Sequence, residues 1–300
     1  MRAALLLGSM TGALGCASTP IATARMPETT RLTYSGAGGS REFVVFRPAS
    51  LPAKREERAL VVMLHGCTQT ADDMAKGTRM NAAAEAGGFL VVYPEQTAAA
   101  HPQKCWNWYS AAHFTRDHGE AALLAGLIDS VARAEGVSAG RVSLVGMSAG
   151  AAMAANLAVA YPERYAALAV HSGIPALAAS DVMAALAVMK AGAQDGDALG
   201  SAALAAMGPR ARPIPVIVIH GADDKVVSPN NAAAIVRQWT VVNARAPGGG
   251  APVEQHVLPG VGHAWSGGSA AGTYTAPSGA DATGLIVGFL RKAGALASRR

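Results

Sequence analysis

The sequence predicts an α/β protein, in which a doubly wound and mostly parallel sheet is flanked by helices within a single domain. Short apolar runs alternate with helical stretches along most of the chain, which is typical of βαβ units. The run at 59–64 is apolar throughout, as strands buried on both faces of a parallel sheet are. The 300 residues are 51% hydrophobic and 15% charged, which is enough for one large core.

The predicted elements follow in chain order. A β-hairpin opens the domain, with strands at 32–34 and 41–47 on either side of the Gly-Ala-Gly-Gly turn. Six more strands are expected at 59–64, 89–93, 142–145, 167–171, 216–220 and 253–258. Helices are expected at 71–86, 119–133, from 181 onward, at 230–243 and at 281–293. The Gly/Ser-rich segment 266–279 predicts a loop that lines one wall of a site.

The N-terminus predicts export. Met1 and Arg2 precede an apolar stretch at 3–14 that is too short to span a bilayer. The small residues before Cys16 resemble a lipobox, in which the cysteine is lipidated, whereas an ordinary signal peptide cut near Ala17 is the alternative. We expect a signal peptide at 1–16, a tether at 17–30 and a folded domain at 31–300. The protein would then be a periplasmic or outer-membrane lipoprotein tethered through lipidated Cys16, or extracellular.

The charge pattern argues against nucleic acid as a partner. The formal net charge is +5, but the basic residues are scattered, and none of their runs is longer than Arg299-Arg300. The cysteines lack zinc-site spacing and no Gly-rich phosphate loop occurs, so neither a metal nor a cofactor is expected.

Two cysteines remain once Cys16 is set aside. Cys67 and Cys105 form an even pair in a chain predicted to reach an oxidising compartment, which favours a disulfide. Two buried thiols are the alternative.

A G-x-S-x-G motif at 146–150 carries the candidate nucleophile, Ser148. The motif follows the apolar run at 141–145 and precedes a helix-like stretch at 151–160, which is the strand–turn–helix setting of a nucleophile elbow. A serine hydroxyl becomes a good nucleophile only beside a base that takes its proton. On this fold the acid and then the histidine follow the serine along the chain.

Chain order selects the base. Of the eight histidines, those after Ser148 are His171, His220, His256 and His263. The first two precede the expected acid, and His256 lies within a predicted strand. His263 lies in a loop just past that strand, so it is the predicted base. Two carboxylates, Asp223 and Asp224, follow the strand at 216–220, and spacing leaves both open as the acid that orients the histidine.

The remaining candidates would surround the substrate. An oxyanion hole on this fold combines the amide after the nucleophile, here Ala149, with an amide from the loop after an earlier strand, here Cys67. Three tryptophans in predicted loops, Trp106, Trp108 and Trp265, are expected to contact substrate through their apolar faces, although tryptophan is more often a core residue.

Together these motifs resemble the esterase/poly(3-hydroxybutyrate) depolymerase family of α/β-hydrolases, which is related to feruloyl and acetylxylan esterases. The resemblance extends over about residues 31–292 and rests on LHGCTQ at 64–69, YP at 93–94, CWNW at 105–108, GMSAG at 146–150, YP at 161–162, HGADD at 220–224 and GHAWSGG at 262–268. It implies that 31–300 is an α/β-hydrolase catalytic domain with Ser148 as nucleophile, His263 as base and Cys67 as oxyanion donor. It also selects Asp224 as the acid.

The resemblance implies hydrolysis of carboxylic esters through an acyl-enzyme, with short hydroxyalkanoate oligomers, polyester fragments or small acyl esters as substrates. Feruloyl or acetylxylan esters of plant walls are the alternative. The sequence departs from the family at Ala151, where a second glycine is common, and it shows no adsorption domain or threonine-rich linker, which argues against attack on crystalline polymer. An inactive exported binding protein would be a different class, and the intact Ser148, Asp224 and His263 argue against it.

Overall fold

The computed structural model describes residues 26–297. The predicted signal peptide with Cys16, and the predicted tether up to residue 25, lie outside the described residues. The tether was predicted to reach residue 30, but the first strand already begins at Glu28 and pairs there with Arg47. This strand is mostly exposed on both faces, so its first residues give no apolar signal in the sequence.

Eight strands form one sheet in the order β1-β2-β4-β3-β5-β6-β7-β8. The hairpin strands are antiparallel, and β2 also pairs antiparallel with β4, whereas the pairs from β4 to β8 are parallel. The sheet therefore has the mostly parallel, doubly wound form that the sequence predicts. The strands are β1 (Glu28–Gly36), β2 (Gly39–Arg47), β3 (Leu60–Leu64), β4 (Leu90–Pro94), β5 (Val142–Met147), β6 (Ala167–His171), β7 (Val216–Gly221) and β8 (Val253–Leu258).

Helices cover both faces of the sheet. Alternate residues of β3 point to opposite faces: Val62 belongs to a core cluster with α4, α5 and α8, and Val61 to one with α1, α2 and α9. The helices are α1 (Ala71–Thr78), α2 (Met80–Gly87), α3 (Ala111–Phe114), α4 (Gly119–Glu135), α5 (Ala149–Ala160), α6 (Val182–Ala191), α7 (Gly196–Met207), α8 (Asn230–Arg245) and α9 (Ala282–Lys292). None of the helices within 26–297 is long and apolar enough to cross a bilayer.

Two predicted helices are interrupted. The helix predicted at 71–86 is broken at Arg79, whose φ of 57° is left-handed, so α1 ends and α2 starts there. The stretch predicted from 181 onward forms two helices, α6 and α7, because Gly192 ends the first with a φ of 88° and Asp195 caps the second. Arginine is not a helix breaker, so the first interruption has no signal in the sequence.

The sheet order determines where a site can form. Strands β5, β6, β7 and β8 are adjacent and parallel, so the loops after their carboxyl ends converge at one edge. The loop after β8 continues into a second, two-stranded parallel sheet, β9 (Trp265–Ser266) and β10 (Thr275–Ala276), before α9.

Candidate active site

Ser148 occupies a strained turn between β5 and α5. Its φ of 55° and ψ of −123° lie outside the regions that side-chain-bearing residues favour. The two motif glycines make this turn sterically feasible, because a Cβ at Gly146 would collide with the backbone of Gly150, and one at Gly150 with the carbonyl of Leu64. The elbow predicted from the sequence is therefore present, and it presents the Ser148 hydroxyl at the end of β5.

His263 connects the serine to a carboxylate. The hydroxyl of Ser148 is 2.9 Å from Nε2 of His263, and Nδ1 of the same ring is 2.7 Å from Oδ2 of Asp224. If Nδ1–H donates to the carboxylate, Nε2 is left to accept from the serine, which is the arrangement that general-base catalysis needs. The chain thus brings together three residues that are separated by 115 and 39 positions.

The structure distinguishes the two adjacent aspartates. Asp223 is exposed, whereas the side chain of Asp224 is fully buried. Oδ1 of Asp224 accepts hydrogen bonds from the amides of Val226 at 2.9 Å and Val227 at 2.8 Å. Burial alone would raise the pKa of Asp224, but the hydrogen bonds from His220 and His263 outweigh it and hold that pKa well below its ordinary value. Asp224 is therefore ionised and rigidly placed.

The two predicted oxyanion donors lie on either side of the serine site, one directly after Ser148 in the chain and one in the wall of its cavity. Ala149 is the first residue of α5, and Cys67 lies in the loop after β3 and lines the cavity with Ser148. Neither amide donates a hydrogen bond to another residue of the described chain, so both are free to hold a developing negative charge.

A disulfide ties the oxyanion loop to the loop after β4. It joins Cys67 to Cys105, with the Cα atoms 4.2 Å apart. The disulfide that the sequence favours is therefore present. The amide of Thr68 also donates to the carbonyl of Gln103 at 2.6 Å, which adds a second link between the same loops.

A buried polar network supports these loops from below. Glu120 on α4 accepts hydrogen bonds from the backbone amide and the side chain of Asn107, both at 2.8 Å, and from Gln96. The backbone amide of Gln96 donates to Nε2 of His65 at 3.0 Å. The sequence gives no signal for the role of Glu120, because a single acidic residue at the start of a helix does not indicate that it is buried.

The candidate site opens into a cavity of about 220 Å³. Tyr274 from the segment 266–279 forms part of its wall, as predicted, and its hydroxyl is hydrogen-bonded to that of Thr68 at 3.0 Å. The lining residues are Gly66, Cys67, Gln69, Gln103, Met147, Ser148, Met189, Val226, His263 and Tyr274.

The prediction that tryptophans contact substrate is corrected by the structure. Trp106, Trp108 and Trp265 are each at most 4% exposed, and none lines the cavity. Burial of their large apolar surfaces is more favourable than exposure, and the indole N–H groups of Trp106 and Trp265 have internal partners. Nε1 of Trp106 donates to the carbonyl of His65 at 3.1 Å, and Nε1 of Trp265 to Thr283 at 3.1 Å.

Trp265 instead packs beneath the site. Its ring stacks on His171 with the centroids 4.8 Å apart, and His171 is completely buried at the end of β6. Burial, with smaller contributions from His220 and His263, lowers the pKa of His171 to about 3. His171 is therefore a neutral core residue.

The apolar wall of the cavity comes from Met147, Met189 and Val226. Val226 lies in the loop that carries the predicted acid, and Met147 lies in the elbow motif. The sequence motifs therefore place both residues near the site. Met189 on α6 gave none. Within 26–297, no three His, Cys, Asp or Glu side chains are grouped so that they could hold a metal ion.

Known proteins resemble this chain in sequence. Residues 43–255 match the family profile described as Esterase PHB depolymerase. Poly(3-hydroxyalkanoate) depolymerase C of Paucimonas lemoignei is 34% identical over 64% of this chain and 46% of that protein. Acetylxylan esterase A of Emericella nidulans is 32% identical over 45% of this chain and 42% of that protein. The chain thus spans about half the length of these curated relatives.

The fold is shared with solved structures. The acetyl xylan esterase from Aspergillus awamori superposes with a TM-score of 0.66 at 22% identity, covering 79% of this chain and 94% of that one. At this identity the likeness supports the fold alone.

Proposed function

This chain belongs to the esterase/poly(3-hydroxybutyrate) depolymerase family, and on that premise we propose that it is a serine carboxylic-ester hydrolase that works through an acyl-enzyme. The observation that carries the proposal is the position of His263, within hydrogen-bond distance of both Ser148 and Asp224. A serine, a histidine and a buried carboxylate in this order perform acyl transfer on this fold.

In the proposed mechanism, Ser148 attacks the ester carbonyl while His263 takes its proton. The negative charge that develops on the carbonyl oxygen is held by the amides of Cys67 and Ala149. His263 then gives the proton to the departing alcohol, and a water molecule, activated in the same way, releases the acid from Ser148. Asp224 remains ionised throughout and stabilises the imidazolium that forms in each step.

Short hydroxyalkanoate oligomers, soluble polyester fragments and small acyl esters are the substrates we propose. The cavity of about 220 Å³ is small, and Met147, Met189 and Val226 give it an apolar wall, which suits a short aliphatic acyl group. The Paucimonas lemoignei relative is named a poly(3-hydroxyalkanoate) depolymerase, which supports the same class. The acetylxylan esterase relative supports acetyl esters of plant walls as the second candidate.

We also propose that the protein is exported. Disulfides persist mainly in oxidising compartments, and the bridge between Cys67 and Cys105 lies beside the proposed catalytic serine. The lipidation of Cys16 stays a prediction from the sequence.

The test is a hydrolysis panel with p-nitrophenyl butyrate, hydroxybutyrate oligomers, methyl ferulate and acetylated xylan. We expect Ser148→Ala to abolish hydrolysis, with the exposed Ser138→Ala variant as the matched control that retains wild-type rates. Undiminished hydrolysis by Ser148→Ala would refute the mechanism. Hydrolysis of methyl ferulate or acetylated xylan alone would overturn the leading substrate assignment.

A further inference from the structure

Helix α6 presents apolar side chains to solvent. Val182 is 55% exposed, Met183 75% and Leu186 53%, and the neighbouring Val226 is 51% exposed. Ala185 is the one buried residue of this helix. A surface helix normally turns its apolar residues inward, so a cluster of exposed ones marks an interaction surface.

This surface is continuous with the proposed active site. A groove of about 410 Å³ runs along α6 and is lined by Leu186, Met189 and Val226, among others. Met189 and Val226 also line the cavity that contains Ser148. We call the groove lined by Leu186, Met189, Lys190, Lys225 and Val226 the α6 groove. A substrate chain bound at Ser148 can therefore extend past Met189 and Val226 into the α6 groove.

Two cations border the groove. Lys190 and Lys225 line it and are exposed, and neither forms a salt bridge with a carboxylate of the described residues. The carboxylate of Asp224 at its base is already engaged by His263 and His220. The groove thus combines an apolar floor with positive charge, which suits an aliphatic chain that ends in a carboxylate.

We propose that the α6 groove binds the leaving segment of a linear aliphatic hydroxyacid oligomer. This inference rests on the proposed function. When an ester bond of such an oligomer is cleaved, the acyl segment stays on Ser148, and the segment that departs as the alcohol carries the free carboxylate. The aliphatic part of that segment packs on Leu186, Met189 and Val226, and its carboxylate lies near Lys190 and Lys225. A second copy of the chain seated here would cover Met189 and Val226 at the mouth of the cavity.

The experiment compares a hydroxybutyrate trimer, the methyl ester of that trimer and p-nitrophenyl acetate as substrates. For Leu186→Ser, we expect the KM for the trimer to rise about fivefold, because an apolar contact outside the reacting bond is lost, with kcat and p-nitrophenyl acetate hydrolysis unchanged. Leu32→Ser is the matched control, because Leu32 is 41% exposed on β1 and lies outside the groove. Circular-dichroism melts establish that both variants are folded.

A second pair of variants tests the charge. Replacement of both Lys190 and Lys225 by Gln is expected to raise the KM about fivefold for the trimer and not for its methyl ester, because the methyl ester lacks the carboxylate. Lys76→Gln, an exposed lysine on α1, is the control.

The outcomes separate this inference from the proposed function. A wild-type protein that hydrolyses neither p-nitrophenyl acetate nor the trimer would refute both. Wild-type activity with an unchanged trimer KM in Leu186→Ser would overturn the α6 groove alone. The same would follow if Leu186→Ser altered only the oligomeric state in light scattering, or only the binding to phosphatidylglycerol vesicles, since the occupant would then be a second copy or a membrane.

Discussion

His220 contacts the same carboxylate oxygen of Asp224 that holds His263. Its Nε2 lies 3.3 Å from Oδ2 of Asp224 and 3.0 Å from the carbonyl of Val227, and the side chain is fully buried. Within the described part of the chain its Nδ1 has no hydrogen-bond partner. With its hydrogen on Nε2, the ring donates towards both oxygens and limits the movement of the carboxylate. His220 is thus a positioning residue for the proposed triad.

Replacement of His220 by Phe should lower kcat about tenfold with little change in KM, because the misplaced carboxylate orients His263 less well. Asp224 would also lose one of the hydrogen bonds that hold its pKa down, so the pKa of this carboxyl should move back towards its ordinary value. His220→Gln, which can still donate, should recover part of the rate. Equal losses of kcat in His220→Phe and His220→Gln would show that His220 acts through packing alone.

The paired aspartates offer an internal control. Asp224→Asn should lower kcat by about 10³–10⁴-fold, because the amide stabilises the wrong imidazole tautomer. Asp223→Asn, on an exposed side chain next to it, should leave the rate within about twofold of wild type. Steady-state kinetics with p-nitrophenyl butyrate measure both. Equal losses in the two variants would contradict the assignment of Asp224.

Loss of the disulfide should affect stability and catalysis together. The bridge joins residues 38 positions apart, and in the chain-entropy model closing that loop stabilises the fold by about 4 kcal/mol. In the Cys67→Ala/Cys105→Ala double variant, urea unfolding should report a loss of that order. The backbone amide at 67 remains, but the loop that holds it is released, so kcat should fall about tenfold. Unchanged kcat would mean that the hydrogen bond from Thr68 to Gln103 suffices to hold the loop.

His171 should make stability depend on pH. Burial lowers its pKa from about 6.5 to about 3. Below pH 6.5 the unfolded chain therefore binds a proton at this position that the folded chain does not bind. The free energy of unfolding should therefore fall as the pH falls, by about 1.4 kcal/mol per pH unit for this one group once its protonation in the unfolded chain is complete. Between pH 6.5 and 5, most carboxylates stay ionised and do not contribute.

Urea unfolding across this range checks the prediction. His171→Phe retains a flat ring against Trp265, and on unfolding it should take up about one proton fewer than wild type, so its free energy of unfolding should vary less with pH. The control His118→Gln, at an exposed position, should show the same pH dependence as wild type. Identical pH dependence in His171→Phe and wild type would show that His171 is protonated in the folded chain.

The sequence predicted the sheet and the members of the proposed triad because both leave local patterns. Apolar runs mark the parallel strands, the elbow requires small residues at Gly146 and Gly150, and chain order leaves few histidines and acids to choose from. The choice between Asp223 and Asp224 needed the family resemblance, since spacing is the same for adjacent residues. Burial and the amides of Val226 and Val227 make the distinction in the structure.

The parts that were missed depend on long-range packing. The three tryptophans were expected at the substrate, but the core could accommodate them, and nothing local reveals which loops fold inward. Glu120 and Met189 were missed because their roles come from α4 and α6 being packed against distant loops. The break at Arg79 is likewise a tertiary effect, in which the chain adopts a conformation that arginine does not favour.

Helix α5 also limits how this protein can be engineered. All twelve of its residues are buried, and most are alanine, so a larger side chain on any face meets a close-packed neighbour. Libraries aimed at a wider acyl range should therefore leave this helix intact and place their diversity at Gln103, Met189 and Tyr274, which face the cavity from three separate segments. The backbone that carries the serine would then stay constant while the acceptance of new esters is selected.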